Sequence, residues 1–191
     1  MGKGSLNLSV AGPTTVGDPN TAEKIVYGNE VDFFGQTFNP TAVGFQVYNN
    51  VENGPNNMPG IDLEIDPNLT GIDDNFTTLT FIPANGSLPG LWSNYIDATT
   101  TGLWGATGVA GGAFAPGTPC NINTNRCSWT ELKAVLADGG DPPTLLTVGI
   151  SKGRDNEWHG AVDGLQFNGT VYDFEEYGVI AIPRTAPVPT P

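Results

Sequence analysis

Residues 153–179 read GRDNEWHGAVDGLQFNGTVYDFEEYGV, two runs of alternating apolar and polar residues that meet at Asn168-Gly169. Asn-Gly between two β-rich runs is the strongest short hairpin signal, and it predicts a type I′ turn with positive φ at both central residues. Counting outward from that turn pairs Phe167 with Thr170, Leu165 with Tyr172 and Asp163 with Phe174. Side chains on a strand alternate between faces, so Ala161, Asp163, Leu165 and Phe167 share a face with Thr170, Tyr172 and Phe174. Val162, Gln166, Asp173 and Glu175 then point the other way. The first face is the expected core face, and Asp163 is its one acid. A buried carboxylate has to be paired, hydrogen-bonded or metal-bound, because an isolated buried charge costs too much.

Working outward, β-rich runs recur along the chain as SLNLSV, EKIVYGNE, AVGFQVYN, IDLEID, FTTLTFI, LWSNYIDA, LLTVGIS, AVDGLQF, TVYDFE and YGVIAI. Turn-forming clusters such as NNVENGPNNMPG and GGDPP separate most of them. Strands without interleaved helices predict an all-β, two-sheet antiparallel jelly-roll sandwich spanning residues 2–182 as one domain. One short helix is expected near 129–137. In SWTELKAVLADGG, Ser128 and Glu131 form a capping box. Trp129, Leu132, Val135 and Leu136 share a face, and Gly139 supplies the stop. Residues 183–191 are proline-rich and read as an extended tail or linker. The glycine-rich GATGVAGGAFAPG has no lysine and no following helix, so it reads as a loop.

Composition narrows the function. The chain carries 20 acidic and 7 basic residues in 191, a formal net charge of −13. That field repels phosphate backbones and anionic lipid, which argues against nucleic acid as a partner. No apolar run approaches the ~20 residues that span a bilayer, so membrane insertion is not expected. Cys120 and Cys127 bracket a short polar loop with no histidine cluster to make a zinc site. They read as a loop-stapling disulfide, with free thiols as the alternative; the disulfide implies an oxidising, extracellular or cell-surface location. Sequons at Asn7, Asn68, Asn75, Asn85 and Asn168 fit a secreted glycoprotein. The first ten residues lack the apolar stretch of a signal peptide, so the segment reads as a mature or excised domain.

The ending GAVDGLQF is similar to the VDD-type endings of carbohydrate-binding jelly rolls, with Gly164 in place of the second aspartate. That resemblance implies Asp163 as a ligand of a structural Ca2+, joined by carbonyls and a second acid; a hydrogen-bonded acid is the alternative reading. More widely, GKGSL, IDLEID, LWSNYIDATTTGLWG, SWTELKAVL and VDGLQFNGTVYDFE resemble secreted bacterial jelly-roll surface domains of the carbohydrate-binding-module or concanavalin type. In such domains further sequence precedes the GKGSL segment.

In GIDLEIDPNLTGIDDN, Asp62, Glu64, Asp66 and Asn68 fall on one face of a strand. The stretch resembles laminarinase-like glycoside hydrolases, whose first Glu is the nucleophile and whose last Glu is the acid/base. Glu64 and Asp66 match, but Asn68 cannot donate a proton as a carboxylic acid does, and retaining hydrolysis needs two carboxyls. His159 has no partner motif for a triad. No catalytic activity is expected. Trp92 with Tyr95, Trp104 and Trp158 lie in LWSNY, GLWG and NEWHG, where aromatic rings neighbour polar groups. Sugars stack on such rings, so these four are the expected ligand-binding residues, with core filling as the alternative. The sequence therefore leads to a non-catalytic module binding carbohydrate or a cell-surface ligand. Its competitor is a structural subunit of a filament, sheath or surface layer that self-associates through strand or groove contacts.

Overall fold

The computed structural model describes residues 2–15, 18–53, 58–73, 75–84, 89–107 and 113–184. Its strands are β1 (Leu6–Val10), β2 (Ile25–Asn29), β3 (Gln36–Thr37), β4 (Val43–Asn49), β5 (Gly60–Asp66), β6 (Thr77–Ile82) and β7 (Leu91–Trp92). They continue with β8 (Ile96–Asp97), β9 (Leu103–Thr107), β10 (Thr144–Lys152), β11 (Trp158–Phe167), β12 (Thr170–Glu175) and β13 (Gly178–Pro183). One helix, α1 (Trp129–Leu136), lies between β9 and β10. The strands form two antiparallel sheets packed face to face, an all-β sandwich. The first sheet runs β13-β12-β11-β4-β7, with β1 on β11 and β8 on β4. The second runs β2-β10-β5-β6-β9, with β3 on β10.

Strand alternation builds the core between them. Val43, Phe45 and Val47 from β4 face Ile61, Leu63 and Ile65 from β5 and Leu79 and Phe81 from β6, all fully buried. Phe45 and Phe81 meet edge to face across the two sheets, ring centroids 6.4 Å apart. Aromatic pairs of this geometry add specificity to the area they bury.

The β11–β12 hairpin forms with the expected pairs, Phe167 with Thr170 and Leu165 with Tyr172. Its turn differs from expectation. Asn168 takes φ 53° but Gly169 does not take the positive φ that a type I′ turn requires. The cause is tertiary: the Asn168 N–H donates to the Ala42 carbonyl at 2.7 Å, and its Oδ1 accepts the Thr41 N–H at 2.7 Å.

A second difference lies at Asp163. The register between β11 and β4 shifts between Asp163 and Gln166, a β-bulge in which Gly164 takes φ 60°. A bulge inserts one residue, so the face parity on its N-terminal side reverses. Val162, expected outside, is fully buried opposite Val47, and Asp163 lies opposite Gln46 on the outer side of the sheet. The expected Asp163–Phe174 backbone pair is replaced by the Asp163 side chain, whose Oδ1 accepts the Phe174 N–H at 3.0 Å and the Gly164 N–H at 2.7 Å. At this bulge β11 changes partner, from β1 over Trp158–Val162 to β12 over Leu165–Phe167.

The helix forms as expected. Ser128 and Glu131 make the reciprocal capping box, Trp129, Leu132 and Leu136 are buried, and Gly139 takes φ 94° just beyond the end. Trp129 packs on Trp104 with ring centroids 4.9 Å apart, which seats α1 against β9. LWSNYIDA divides into the two-residue strands β7 and β8, and β9 occupies LWGAT, partly within the stretch read as a glycine-rich loop. β13 extends to Pro183, one residue into the expected tail. The rest of the tail from 185, residues 108–112 of that loop and the sequon at Asn85 lie outside the described residues.

Candidate binding groove

The four expected ligand-binding aromatics do not come together. Trp104 and Trp158 are fully buried. Their indole N–H groups donate inward, to the Ala98 carbonyl at 2.7 Å and to Asn49 Oδ1 at 3.1 Å. With no ring face reaching solvent, neither can stack on a sugar, and the expectation for these two is corrected: they are core residues. A polar neighbourhood in sequence did not place them outside, because alternation along β9 and β11 turns both inward.

Trp92 and Tyr95 are 45% and 39% exposed on the outer side of the first sheet. Trp92 leans on Tyr48 at 5.8 Å, and Arg184 lies over the Tyr95 ring at 5.7 Å. Burial, with Asp97 beside it, pushes the Tyr95 phenol up to about 12, so its ring remains a neutral hydrogen-bonding group. His159 hydrogen-bonds Ser9 through Nδ1 at 2.9 Å at the edge of the same sheet.

The outer face of the second sheet is different. Ile61, Leu63 and Ile65 of β5 point into the core, so Asp62, Glu64 and Asp66 point out, as the alternation predicts. In the transverse row through Asp62, Gly149 of β10 is its partner on one side and Thr80 of β6 on the other, and Gly28 and Gly105 end the row. The neighbouring row is Thr147, Glu64, Thr78 and Thr107. This face therefore presents hydroxyls and carboxylates at a level kept low by glycine.

A cavity of about 640 Å³ opens over Asp62, Gly60, Thr80 and Ser151. One wall is the loop closed by the Cys120–Cys127 disulfide. That loop is held to β9 by hydrogen bonds from Ala106 N–H to the Cys120 carbonyl (2.6 Å) and between Trp104 and Cys127 in both directions. Ile122 sits so close over Gly105 that a Cβ there would lie 2.6 Å from the Ile122 Cα, so the wall requires glycine at that point. The opposite wall is Lys24 with the Lys152–Asp155 turn, in which the Lys152 ammonium pairs with Asp155.

Asp62 is the most unusual group in the cavity. It is only 4% exposed, and its Oδ1 has no hydrogen-bond partner. Burial raises its pKa above the ordinary 3.8, opposed by the Thr80 and Ser151 hydroxyls and by Lys24, with Glu64 adding repulsion. An unsatisfied buried polar atom costs about 1–3 kcal/mol, so Asp62 at the floor of the cavity is a costly feature of the fold.

A second pair of acids lies on the outer side of the first sheet. Asp163 and Asp173 are both buried, Asp173 at 3% exposure with its Oδ1 unpartnered and its Oδ2 accepting the Gly2 N–H at 2.9 Å. Burial raises the Asp163 pKa; the Phe174 and Gly164 N–H groups oppose this and the Asp173 carboxylate reinforces it. Asp173 is thus the carboxylate that faces Asp163 on this side of the sheet. Among the described residues no group of three or more His, Cys, Asp or Glu side chains converges on one point, so a cation here would draw on two carboxylates and backbone oxygens.

Sequence reasoning placed Asp62 and Glu64 on one outer face but missed what surrounds them. Thr78 and Thr80 were legible in the alternation of FTTLTFI. Nothing in the sequence brings Arg126, Arg154 or Lys24 to the same cavity. No helix among the described residues is long and apolar enough to cross a membrane. The chain is thus a two-sheet β-sandwich with an open polar groove on one sheet. No family model, curated protein or solved structure matches it.

Proposed function

We propose that this protein is a non-catalytic extracellular module that binds carbohydrate, with the groove over Asp62 as its site. The observation that carries the reading is the buried, unpartnered Asp62 Oδ1 at the base of a cavity floored by Thr80 and Ser151. Sugar hydroxyls donate and accept at once, and a shallow polar floor with a waiting acceptor suits them. The non-catalytic part is supported by Asn68, which stands where the hydrolase pattern needs an acid. Its Nδ2 is committed to the Pro142 carbonyl at 2.8 Å and Thr144 Oγ1 at 3.2 Å. The disulfide fits an extracellular or cell-surface setting.

The test is calorimetric titration with a panel of soluble polysaccharides and oligosaccharides. Thr80→Val and Asp62→Asn are expected to weaken binding at least tenfold, and Trp92→Ala, on the opposite sheet, to leave it unchanged. Loss of binding in Trp92→Ala alone would move the site to the Trp92–Tyr95 face. Silence across the panel would sink the reading.

One observation favours self-assembly as the second reading. β13 is an exposed edge strand whose Val179, Ile180 and Ile182 all reach solvent, the kind of edge that accepts a neighbour's strand. Rising solution mass with concentration, abolished by Ile180→Lys, would support a structural subunit.

We also propose that Asp163 and Asp173 hold a structural Ca2+, favoured by the unpartnered Asp173 Oδ1. Calcium is then expected to raise the melting temperature, chelator to reverse it, and Asp173→Asn to remove the response. A melting curve indifferent to calcium would leave Asp163 as a hydrogen-bonded acid.

A further inference from the structure

The cations of this chain are not spread evenly. Four of the seven lysines and arginines, Lys24, Arg126, Lys152 and Arg154, line the groove over Asp62, where they meet two carboxylates, Asp62 and Asp155. A surface that is locally positive on a molecule of net charge −13 requires a reason. Lys152 is spent on Asp155, the one ion pair within 4.0 Å among the described residues. Among the described residues, Lys24, Arg126 and Arg154 have no carboxylate partner at that distance. Arg126 uses its Nε on the Ile122 carbonyl at 2.9 Å, which fixes the side chain to the disulfide wall.

Their placement has a pattern. Lys24 precedes β2 and Arg154 follows β10, at one edge of the second sheet, and Arg126 stands over β9 at the other edge. Asp62, on central β5, lies between them. Five strands at ~4.8 Å spacing set the two edges about 19 Å apart. We propose that the groove selects an acidic saccharide, one with carboxylate groups separated by neutral hydroxylated stretches, its anions held by Arg126 at one end and Lys24 and Arg154 at the other. This rests on the carbohydrate-binding reading and adds the charge of the ligand to it. The hydroxyls and Asp62 take the neutral middle. Arginine suits carboxylate because its planar fork matches the two oxygens. Dense polyanions such as nucleic acid, with a charge every ~1.7 Å of duplex, meet the repulsion of the rest of the molecule.

The experiment compares a hyaluronan hexasaccharide, in which uronic acids alternate with neutral sugars, with the same oligomer after reduction of its carboxyls to alcohols, titrated calorimetrically into the whole chain at low and raised salt. The acidic oligomer is expected to bind at least tenfold tighter, with an advantage that shrinks as salt rises. The double variant Arg126→Gln with Arg154→Gln is expected to erase that advantage, lowering affinity for the acidic oligomer far more than for the neutral one, and Arg154→Lys to restore part of it. Equal binding of the two oligomers, indifferent to the arginine variants, would overturn the acidic specificity and leave a neutral glycan site standing. Absence of binding by both, and by the glycan panel, would overturn the carbohydrate reading itself. Equal affinity for single-stranded DNA would show a general anion site and overturn selectivity for a saccharide.

Discussion

Asp62 shows how much one residue can state about a surface. Its neighbours on β5 are core aliphatics, and it is itself nearly as buried as they are, yet one carboxylate oxygen lacks a partner. A raised folded-state pKa means that the folded chain holds its proton more tightly than the unfolded chain does. The associated stability is complete below the ordinary value of 3.8 and is lost as pH rises through the raised value. At neutral pH the wild type therefore carries a burial penalty that an amide would not. Asp62→Asn is expected to raise the melting temperature near pH 7, by an amount that vanishes on acidification below the carboxylate range, while weakening ligand binding. Thermal melts of both proteins across pH would check this; a variant no more stable than wild type at neutrality would show that Thr80, Ser151 and Lys24 fully compensate the charge. Stabilisation together with impaired binding would mark Asp62 as an acid kept for the ligand.

At the scale of elements, the groove depends on a loop. The Cys120–Cys127 bridge closes a segment with a sequence separation of 7. In the chain-entropy account such a short closure contributes about 2.5 kcal/mol. The loop also carries Asn121, Ile122, Asn123 and Arg126 into the cavity wall. Replacing both cysteines by serine is expected to lower unfolding stability by about that amount in urea titration, and to weaken binding more than the loss of stability alone would explain. Unchanged affinity in the serine variant would show that the pairing of β9 with residues 120–127 is enough to hold the wall. On the other sheet, the bulge at Asp163–Gly164 does similar work: it lets one strand serve β1 and then β12, and it places a carboxylate where two backbone N–H groups need an acceptor.

Over the whole molecule, charge is the dominant quantity. At −13 the folded chain repels itself more than the expanded one, and Asp62 adds to the cost of full ionisation. Glu131 and Asp138 act in the other direction. Hydrogen bonds to Ser128 lower the pKa of the first, and bonds from Gly140 and Thr70 that of the second, so their contributions are kept until the pH drops below their ordinary values of 4.5 and 3.8. Stability is therefore expected to rise on acidification as the raised Asp62 and Asp163 carboxyls take up protons, and the Glu131 and Asp138 contributions to be lost once the pH falls below 4.5 and 3.8. Calorimetric scans at constant ionic strength would test this, and a melting temperature that declines steadily from pH 7 would contradict it.

The sequence by itself determined the fold class. Alternation in AVGFQVYN, IDLEID and FTTLTFI sets which side chains are buried, Asn168-Gly169 sets a hairpin, and Ser128 with Glu131 sets where the helix begins; each is a local rule with a period or a spacing. It also placed Asp62 and Glu64 on one outer face and paired the two cysteines. Tertiary structure decided the rest. The bulge at Gly164 reversed which of Val162 and Asp163 enters the core, because β11 had to serve β1, β12 and β4 at once. Trp104 went inward by strand parity and Trp158 by the same parity reversal that buried Val162, whatever the polarity of their flanking residues. The gathering of Lys24, Arg126 and Arg154 around Asp62 came from the order of strands in the second sheet, which brings together residues up to 130 positions apart in a chain whose local pattern carries no trace of that order.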